Sequence, residues 1–86
     1  MANVTMYGSA YCPYCLRARA LLDELGSVYN YIPVDGEPLV RQEMTEKSGG
    51  HTVPQIFIDD TPIGGCDDLY ALHREGKLEE MLGIGQ

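Results

Sequence analysis

The chain has 86 residues, enough for one modest hydrophobic core, so we expect a single domain over residues 1–86. Its 13 acidic side chains outnumber the 6 basic ones and give a formal net charge of −7. Because nucleic acids and anionic membranes attract basic surfaces, this composition argues against both as partners.

The first residues do not have the pattern of a targeting segment. Residues 1–5 lack a basic stretch followed by an apolar core, so we expect no secretion signal. No apolar run approaches the roughly 20 residues that a membrane-spanning helix needs. We therefore expect no association with a membrane.

The first part of the chain alternates between strand and helix patterns. Residues 3–7 predict a strand that ends at Gly8. Apolar side chains then recur at helical spacing through residues 13–25, and Gly26 ends this helix. Residues 29–34 include two tyrosines and an isoleucine, which favour a second strand. A strand, a helix and a strand within about 30 residues form a βαβ unit, whose two strands should be parallel.

A second helix and a hairpin follow. Pro38 opens a short, largely solvated helix that ends at residues 48–50. Residues 55–58 predict a strand, residues 59–62 a turn, and residues 63–64 a short returning strand. The two strands together form a β-hairpin.

The last part of the chain is predicted to be helical. Asp67 and Asp68 occupy the N-cap and first-turn positions of a third helix, which Gly76 ends. Residues 78–82 suggest one more short helical piece. The order β-α-β-α-β-β-α predicts an α/β protein with a four-stranded mixed sheet flanked by helices.

Between the first strand and the first helix lies the motif Cys12-Pro13-Tyr14-Cys15, which we interpret as a redox dithiol. The spacing lets the two sulfurs reach each other across one helical turn. Pro13 suits the first helical position, where its missing N–H costs nothing. The free N–H groups and the positive dipole end of the helix favour an anion, so we expect Cys12 to attack as a thiolate.

A metal site is the main alternative interpretation of the motif. Zinc sites usually have a second pair of ligands at a characteristic spacing. This chain offers only Cys66, His51 and His73 as further soft ligands, and they are scattered. We therefore expect no metal.

The cysteines do not predict structural disulfides. Their number is odd, and a bridge between Cys12 and Cys15 would close a very small loop with little entropic gain. A dithiol that cycles between two oxidation states is suited to a reducing cytosol, so we expect a cytoplasmic location.

Three motifs stand out along the chain: Cys12-Pro13-Tyr14-Cys15, Thr52-Val53-Pro54 before the third strand, and Gly64-Gly65-Cys66-Asp67-Asp68 before the third helix. Each is only moderately specific alone, but all three at these separations are hard to produce by chance. Together they resemble the glutaredoxin family, specifically its short bacterial dithiol type, over essentially the whole chain. The resemblance implies the thioredoxin-like fold and glutathione as co-substrate.

The resemblance also implies a glutathione-binding segment at Thr52, Val53 and Pro54. In the family the Val-Pro bond is cis, and the backbone N–H and C=O of the residue matching Val53 pair with the cysteine of glutathione. From the residues alone, Pro54 is equally consistent with an ordinary trans proline at the start of a strand.

A second binding segment is implied before the third helix. By resemblance, the backbone N–H groups of Cys66 and Asp67 hold the γ-glutamyl carboxylate of glutathione, while the Asp67 side chain binds its ammonium group. Gly65 would let the ligand approach the backbone closely. From the residues alone, Asp67 is a helix cap, which is compatible with ligand binding, and Cys66 is a packing residue rather than a third redox thiol.

The chain departs from the family pattern near the dithiol. Many members carry a lysine three residues before the first active cysteine, where this chain has Ser9. The cations that could replace it are Arg41, His51 and Arg17, and we assign Arg41 to the glycine carboxylate of glutathione. By resemblance, Tyr14 flanks the bound glutathione; without the resemblance it is a solvent-facing aromatic side chain.

The resemblance implies a glutathione-dependent thiol–disulfide oxidoreductase. Cys12 would attack glutathione mixed disulfides and Cys15 would resolve protein disulfides. The expected partners are glutathione and glutathionylated or disulfide-containing proteins, with the chain acting as a monomer.

Three other functions stay open. The chain could be a thioredoxin-like carrier reduced by a flavoprotein reductase, an iron–sulfur cluster carrier, or a binding scaffold without redox activity. Pro13 argues against the cluster, because cluster-binding relatives usually have a small residue there. The presence of both thiols argues against the scaffold.

Overall fold

A computed structural model describes residues 2–84, so residues 1, 85 and 86 of the predicted domain lie outside the described residues. The elements in chain order are β1 (Val4–Gly8), α1 (Pro13–Glu24), β2 (Asn30–Pro33), α2 (Pro38–Ser48), β3 (Gln55–Ile58), β4 (Thr61–Gly64), α3 (Cys66–Arg74) and α4 (Lys77–Leu82). This order confirms the predicted arrangement, with α4 at the expected short helical piece. Across residues 2–84, no helix is long and apolar enough to cross a bilayer.

The four strands form one mixed sheet in the spatial order β2-β1-β3-β4. β1 and β2 are parallel, as the βαβ prediction requires, while β3 runs antiparallel to both β1 and β4. In the β1–β3 pair, Tyr7 at the end of β1 lies opposite Gln55 at the start of β3. The loop after β1, which carries the dithiol, and the segment before β3, which ends in Pro54, therefore meet at the same end of this strand pair.

Apolar side chains are buried on both faces of the sheet because successive residues of a strand point to opposite sides. Val4 and Met6 of β1 join a large cluster with α1, α3 and α4, whereas Tyr7 joins a smaller one. The fully buried members of that smaller cluster are Tyr7, Val34, Met44 and Phe57. The α1 side of the sheet therefore holds most of the core, and the dithiol lies at the start of α1.

The hairpin between β3 and β4 is tighter than predicted. The turn consists of Asp59 and Asp60, both with positive φ (51° and 66°), as two-residue hairpin loops require. β4 then begins at Thr61 and includes Pro62, which the sequence analysis had assigned to the turn. Proline fits there because β4 is an edge strand and needs fewer N–H donors.

The predicted N-cap of α3 is wrong by two residues. The cap is Gly65, so Cys66 and Asp67 are the first two helical residues. The Gly65 N–H donates to Oδ2 of Asp68 at 2.9 Å, which makes Asp68 the carboxylate that closes the helix start. Asp67 is therefore free of the capping role that the sequence alone had assigned to it.

Candidate active site

The dithiol lies at the first turn of α1. Cys12 is the N-cap in an extended conformation (φ −102°, ψ 116°), Pro13 follows at the first helical position, and Cys15 is the third helical residue. Both cysteines are free thiols. The backbone N–H groups of Tyr14 and Cys15 have no intrahelical acceptor, as at every helix start, so the positive end of α1 faces the dithiol.

The two sulfurs differ in exposure. Cys12 is partly exposed, whereas Cys15 is 0% exposed. Burial raises the pKa of the Cys15 thiol to about 11. The backbone N–H of Ser9 donates to the sulfur at 3.4 Å and lowers this pKa, but by less than burial raises it. Solvent and large substrates can therefore reach Cys12, and Cys15 is held protonated behind it.

An acidic residue that was not among the predicted site residues organises the loop before Cys12. The carboxylate of Asp35 accepts hydrogen bonds from the Ser9 hydroxyl at 2.5 Å and from the Ala10 N–H at 2.9 Å. The Ser9 bond, followed by the Ala10 bond, lowers the pKa of Asp35. The neighbour of Ser9 is thus an anion, where the family lysine would have supplied a cation. The sequence signal that could have identified Asp35 is its polar side chain directly after the predicted strand at residues 29–34. That strand was predicted to lie parallel to the one that precedes the Cys12 motif.

The Thr52-Val53-Pro54 segment lies against Cys12. The Val53–Pro54 peptide bond is cis, as the resemblance implied. The Cys12 thiol donates to the carbonyl oxygen of Val53 across 3.6 Å. Gln55, a buried polar residue not selected from the sequence, fixes the segment because its Nε2 donates to the Thr52 carbonyl at 2.9 Å.

The start of α3 forms the opposite wall. A Cβ atom on Gly65 would lie 3.4 Å from the carbonyl oxygen of Pro54, so the two segments approach closely. Cys66 is 5% exposed, and burial raises the pKa of its thiol, which fits the packing role expected of it. Asp67 is exposed, and its backbone N–H and that of Cys66 are free of intrahelical bonds.

Between these walls is a groove of about 420 Å³, within the size range of small-molecule sites. Its lining residues are Tyr14, Thr52, Val53, Pro54, Gln55, Gly64, Gly65, Cys66, Asp67 and Asp68. Seven of the eight residues predicted to bind glutathione are among them. The eighth, Arg41, does not line the groove.

The three candidate cations, Arg17, Arg41 and His51, are all exposed, and Arg41 contacts His51. Arg41 on α2 is exposed, and its Nη1 donates to the carbonyl of His51 at 3.4 Å, one residue before Thr52. The guanidinium of Arg17 lies 6.0 Å from the centre of the Tyr14 ring and 5.9 Å from that of Tyr70. Arg41 lines a separate hollow together with Asp35 and contacts His51, the neighbour of Thr52. Arg17, in contrast, lies beside Tyr14, which lines the groove.

Within residues 2–84, no three His, Cys, Asp or Glu side chains come together as metal ligands. A second hollow is lined by Thr5, Tyr7, Lys47, Phe57 and Asp60. It contains none of the predicted site residues, so the groove beside Cys12 is the candidate site.

Comparison with protein families gives a match to the glutaredoxin model over residues 4–63. The chain is 54% identical over 82 residues to glutaredoxin 3 of Escherichia coli K12, covering 95% of this chain and 99% of that protein. It is 50% identical to a glutaredoxin of Pseudomonas aeruginosa, covering 95% of this chain and 98% of that protein.

Solved structures agree with this match. The buckwheat glutaredoxin–glutathione complex is 35% identical with a TM-score of 0.89, covering 98% of this chain and 83% of that chain. The solution structure of glutaredoxin from Brucella melitensis is 50% identical with a TM-score of 0.85, covering 100% of this chain and 94% of that chain. The similarity therefore extends over the fold, the dithiol and the groove together.

Proposed function

The chain belongs to the glutaredoxin family and is a glutathione-dependent thiol–disulfide oxidoreductase, and we propose that Cys12 is its attacking sulfur and Cys15 its resolving sulfur. The observation that supports this assignment is the difference in exposure of the two thiols at the start of α1. Of these two thiols, Cys12 is partly exposed and Cys15 is buried, and the Cys12 thiol donates to the carbonyl oxygen of Val53, which lines the groove.

In the first step, the sulfur of Cys12 attacks the glutathionyl sulfur of a mixed disulfide. A new S–S bond joins Cys12 to glutathione, the original S–S bond breaks, and the substrate leaves as a thiol. A second glutathione then attacks this intermediate, releases glutathione disulfide and restores the Cys12 thiol. This sequence requires one protein sulfur.

With a protein disulfide, the first attack links Cys12 to the substrate protein. Cys15 then attacks the sulfur of Cys12, forms the Cys12–Cys15 disulfide and releases the reduced substrate. Two molecules of glutathione then reduce the Cys12–Cys15 disulfide to the dithiol and leave as glutathione disulfide. This branch requires both sulfurs.

We place the cysteine of glutathione along Thr52, Val53 and Pro54. The Val53 backbone borders the groove next to Cys12, and pairing of its N–H and C=O with the ligand would bring the glutathione sulfur to the attacking sulfur. Tyr14 lines the same groove and is half-exposed, so its ring can cover the bound tripeptide.

We place the γ-glutamyl end at Gly65, Cys66 and Asp67. The free N–H groups at the start of α3 suit the carboxylate, since helix N-termini bind anions. The exposed carboxylate of Asp67, which is not used as the helix cap, suits the ammonium group. The close approach of Gly65 to Pro54 holds this subsite next to the first one.

Arg41 is our assignment for the remaining glycine carboxylate. It lies near the Thr52 end of the groove through its bond to His51, opposite the end where α3 begins. Arg41 also lowers the pKa of Asp35, although less than the hydrogen bonds from Ser9 and Ala10 do. Its guanidinium therefore acts on charges near the dithiol as well.

The test is reduction of a small glutathione mixed disulfide with glutathione and a glutathione reductase as the coupled system. We expect turnover by the wild type and none by Cys12→Ser. Turnover supported by a flavoprotein thioredoxin reductase but not by glutathione would contradict the proposal and favour the carrier alternative. Visible absorbance after anaerobic purification would favour the cluster carrier.

Several features of the wider role are also proposals. We infer one domain over residues 1–86, action as a monomer in the cytoplasm, and glutathionylated or disulfide-containing proteins as substrates. The net charge of −7 supports the absence of nucleic acid and anionic membrane from this set.

A further inference from the structure

The hydroxyl group of Tyr31 is buried and has no hydrogen-bond partner among residues 2–84. Tyr31 lies in β2 opposite Met6 of β1, and both pack into the cluster on the α1 side of the sheet. Buried hydroxyls are usually paired, because their lost hydration is otherwise uncompensated. An unpaired buried hydroxyl near a reactive centre calls for an explanation, and a role in the reaction is one.

The unpaired hydroxyl and the sulfur of Cys15 border the same space beside Gly8. A Cβ atom built on Gly8, the last residue of β1, would be 3.1 Å from the Tyr31 oxygen and 3.2 Å from Cys15 Sγ. Both groups therefore border the same point above the Gly8 backbone. The absence of a side chain at Gly8 is what allows them to converge there.

Cys15 is poorly supplied with hydrogen-bond donors for a sulfur that must become an anion. The Ser9 N–H is the backbone group that donates to it. Burial first, and then the nearby Cys12 and Asp35, raise the pKa of Cys15. A thiolate at Cys15 therefore needs a further donor from the groups around it.

Tyr31 meets that need because it retains its proton. Burial raises the pKa of the Tyr31 phenol, so the O–H is intact at neutral pH. The guanidinium of Arg19 lies 4.2 Å from the centre of the Tyr31 ring, while its Nε donates to the Tyr29 hydroxyl at 3.2 Å. A cation over the ring withdraws electron density and makes the hydroxyl a stronger donor.

We propose that the Tyr31 hydroxyl donates a hydrogen bond to Cys15 Sγ in the resolving step, when that sulfur carries negative charge. In this step an S–S bond forms between Cys15 and Cys12, and the S–S bond between Cys12 and the substrate breaks. The departing substrate sulfur takes up the proton that Cys15 loses, and Tyr31 keeps its own. The proposal rests on the proposed roles of Cys12 and Cys15.

The first experiment compares two reactions of Tyr31→Phe. Reduction of a protein disulfide such as that of insulin uses Cys15, whereas reduction of a glutathionylated peptide uses Cys12 alone. We expect the ratio of the first rate to the second to fall about tenfold, as for loss of one hydrogen bond to a charged atom. Tyr7→Phe removes a hydroxyl that donates to Glu43 and belongs to the other buried cluster, so its ratio should equal that of the wild type.

The second experiment measures the ionisation of Cys15 directly. In the Cys12→Ser background, ionisation of Cys15 is followed against pH by the ultraviolet absorbance of the thiolate, and the same protein with Cys15→Ser is the blank that removes the signals of Cys66 and the tyrosines. Adding Tyr31→Phe should move the midpoint to higher pH by about one unit. Adding Tyr7→Phe should leave the midpoint in place.

An unchanged midpoint, or equal losses in both reactions of Tyr31→Phe, would overturn the role of Tyr31. Failure of the proposed function gives a different result, because wild-type protein would then not turn over with glutathione, or Cys12→Ser would remain active. The two failures are therefore distinguishable.

Discussion

The sulfur of Cys12 lies 3.6 Å from the carbonyl oxygen of Val53, so the exposed thiol and the backbone that borders the groove are in direct contact. The contact joins the loop after β1 to the segment before β3. Antiparallel pairing of β1 with β3 brings these two segments together. A tripeptide paired with the Val53 backbone would present its sulfur at Cys12. Ligand position and reactivity are thus set by the same two residues.

Serine substitutions should separate the two branches of the reaction. Cys12→Ser should abolish both reduction of glutathione mixed disulfides and reduction of protein disulfides, because the accessible sulfur is lost. Cys15→Ser should keep the first activity and lose the second. Parallel glutathione-coupled and insulin-reduction assays measure both. Equal loss of both activities in Cys15→Ser would contradict the proposed division of roles.

Asp67→Asn should weaken glutathione binding without blocking the chemistry. Loss of one charged hydrogen bond, worth about 1.5–3 kcal/mol, should raise KM for glutathione about tenfold or more and leave kcat within about twofold. Asp23→Asn makes the same change of charge on the exposed side of α1 and serves as control. An unchanged KM in Asp67→Asn would exclude the ammonium-binding role.

Arg41→Ala should also raise KM for glutathione, because it removes the cation assigned to the glycine carboxylate. An exposed ion pair contributes about 0.2–1 kcal/mol, so the increase should be about 1.4-fold to fivefold and should shrink at high salt. Arg74→Ala, at the end of α3, removes an exposed cation elsewhere and should leave KM unchanged. If Arg17→Ala rather than Arg41→Ala raised KM, the carboxylate would lie at the Tyr14 end of the groove.

Tyr31→Phe should stabilise the reduced protein. An unpaired buried hydroxyl costs about 1–3 kcal/mol, so its removal should increase the free energy of unfolding by about 1 kcal/mol. Urea unfolding under reducing conditions measures the change. Tyr29→Phe, which loses a bond to Arg19, should not increase stability. A less stable Tyr31→Phe protein would mean that the hydroxyl is paired in solution.

The buried thiol of Cys15 should make the reduced protein less stable in alkali. Its folded pKa of about 11 lies above the ordinary thiol value of about 8.5, so the unfolded chain loses the proton first as pH rises. The stabilising contribution is therefore complete below about pH 8.5 and is lost progressively up to about pH 11.

Urea unfolding of the reduced wild type and Cys15→Ala across this pH window provides the measurement. The pKa values of Tyr7, Tyr31 and Cys66 are also raised by burial, but these groups are present in both proteins. The difference between the two proteins thus reports Cys15. Parallel pH curves would contradict its raised pKa.

The sequence was sufficient for most of the fold because strand and helix periods alternate clearly along it. Its errors occurred where tertiary position decides the outcome. Pro62 was assigned to the turn, yet it lies in β4, an edge strand in which a proline is tolerated. Asp67 was assigned as the helix cap, although Asp68 closes the start of α3 from the third helical position.

The dithiol and the groove segments could be predicted because each is a continuous motif. Asp35 and Tyr31 could not, since neither belongs to a motif and both reach the dithiol only after β2 pairs with β1. The absence of a side chain at Gly8, which brings Tyr31 next to Cys15, appears in the sequence only as the end of a strand. Contacts between distant segments were the information that the pattern lacked.

The complete burial of Cys15 limits what a substrate protein has to offer. Since partners can touch only Cys12, a single protruding disulfide sulfur is sufficient for the reaction, and the rest of the partner surface need not match a deep cleft. We expect such a low steric demand to let one small enzyme reduce disulfides in unrelated proteins. The same shielding keeps bulky reagents and foreign thiols from trapping the inner sulfur in dead-end adducts.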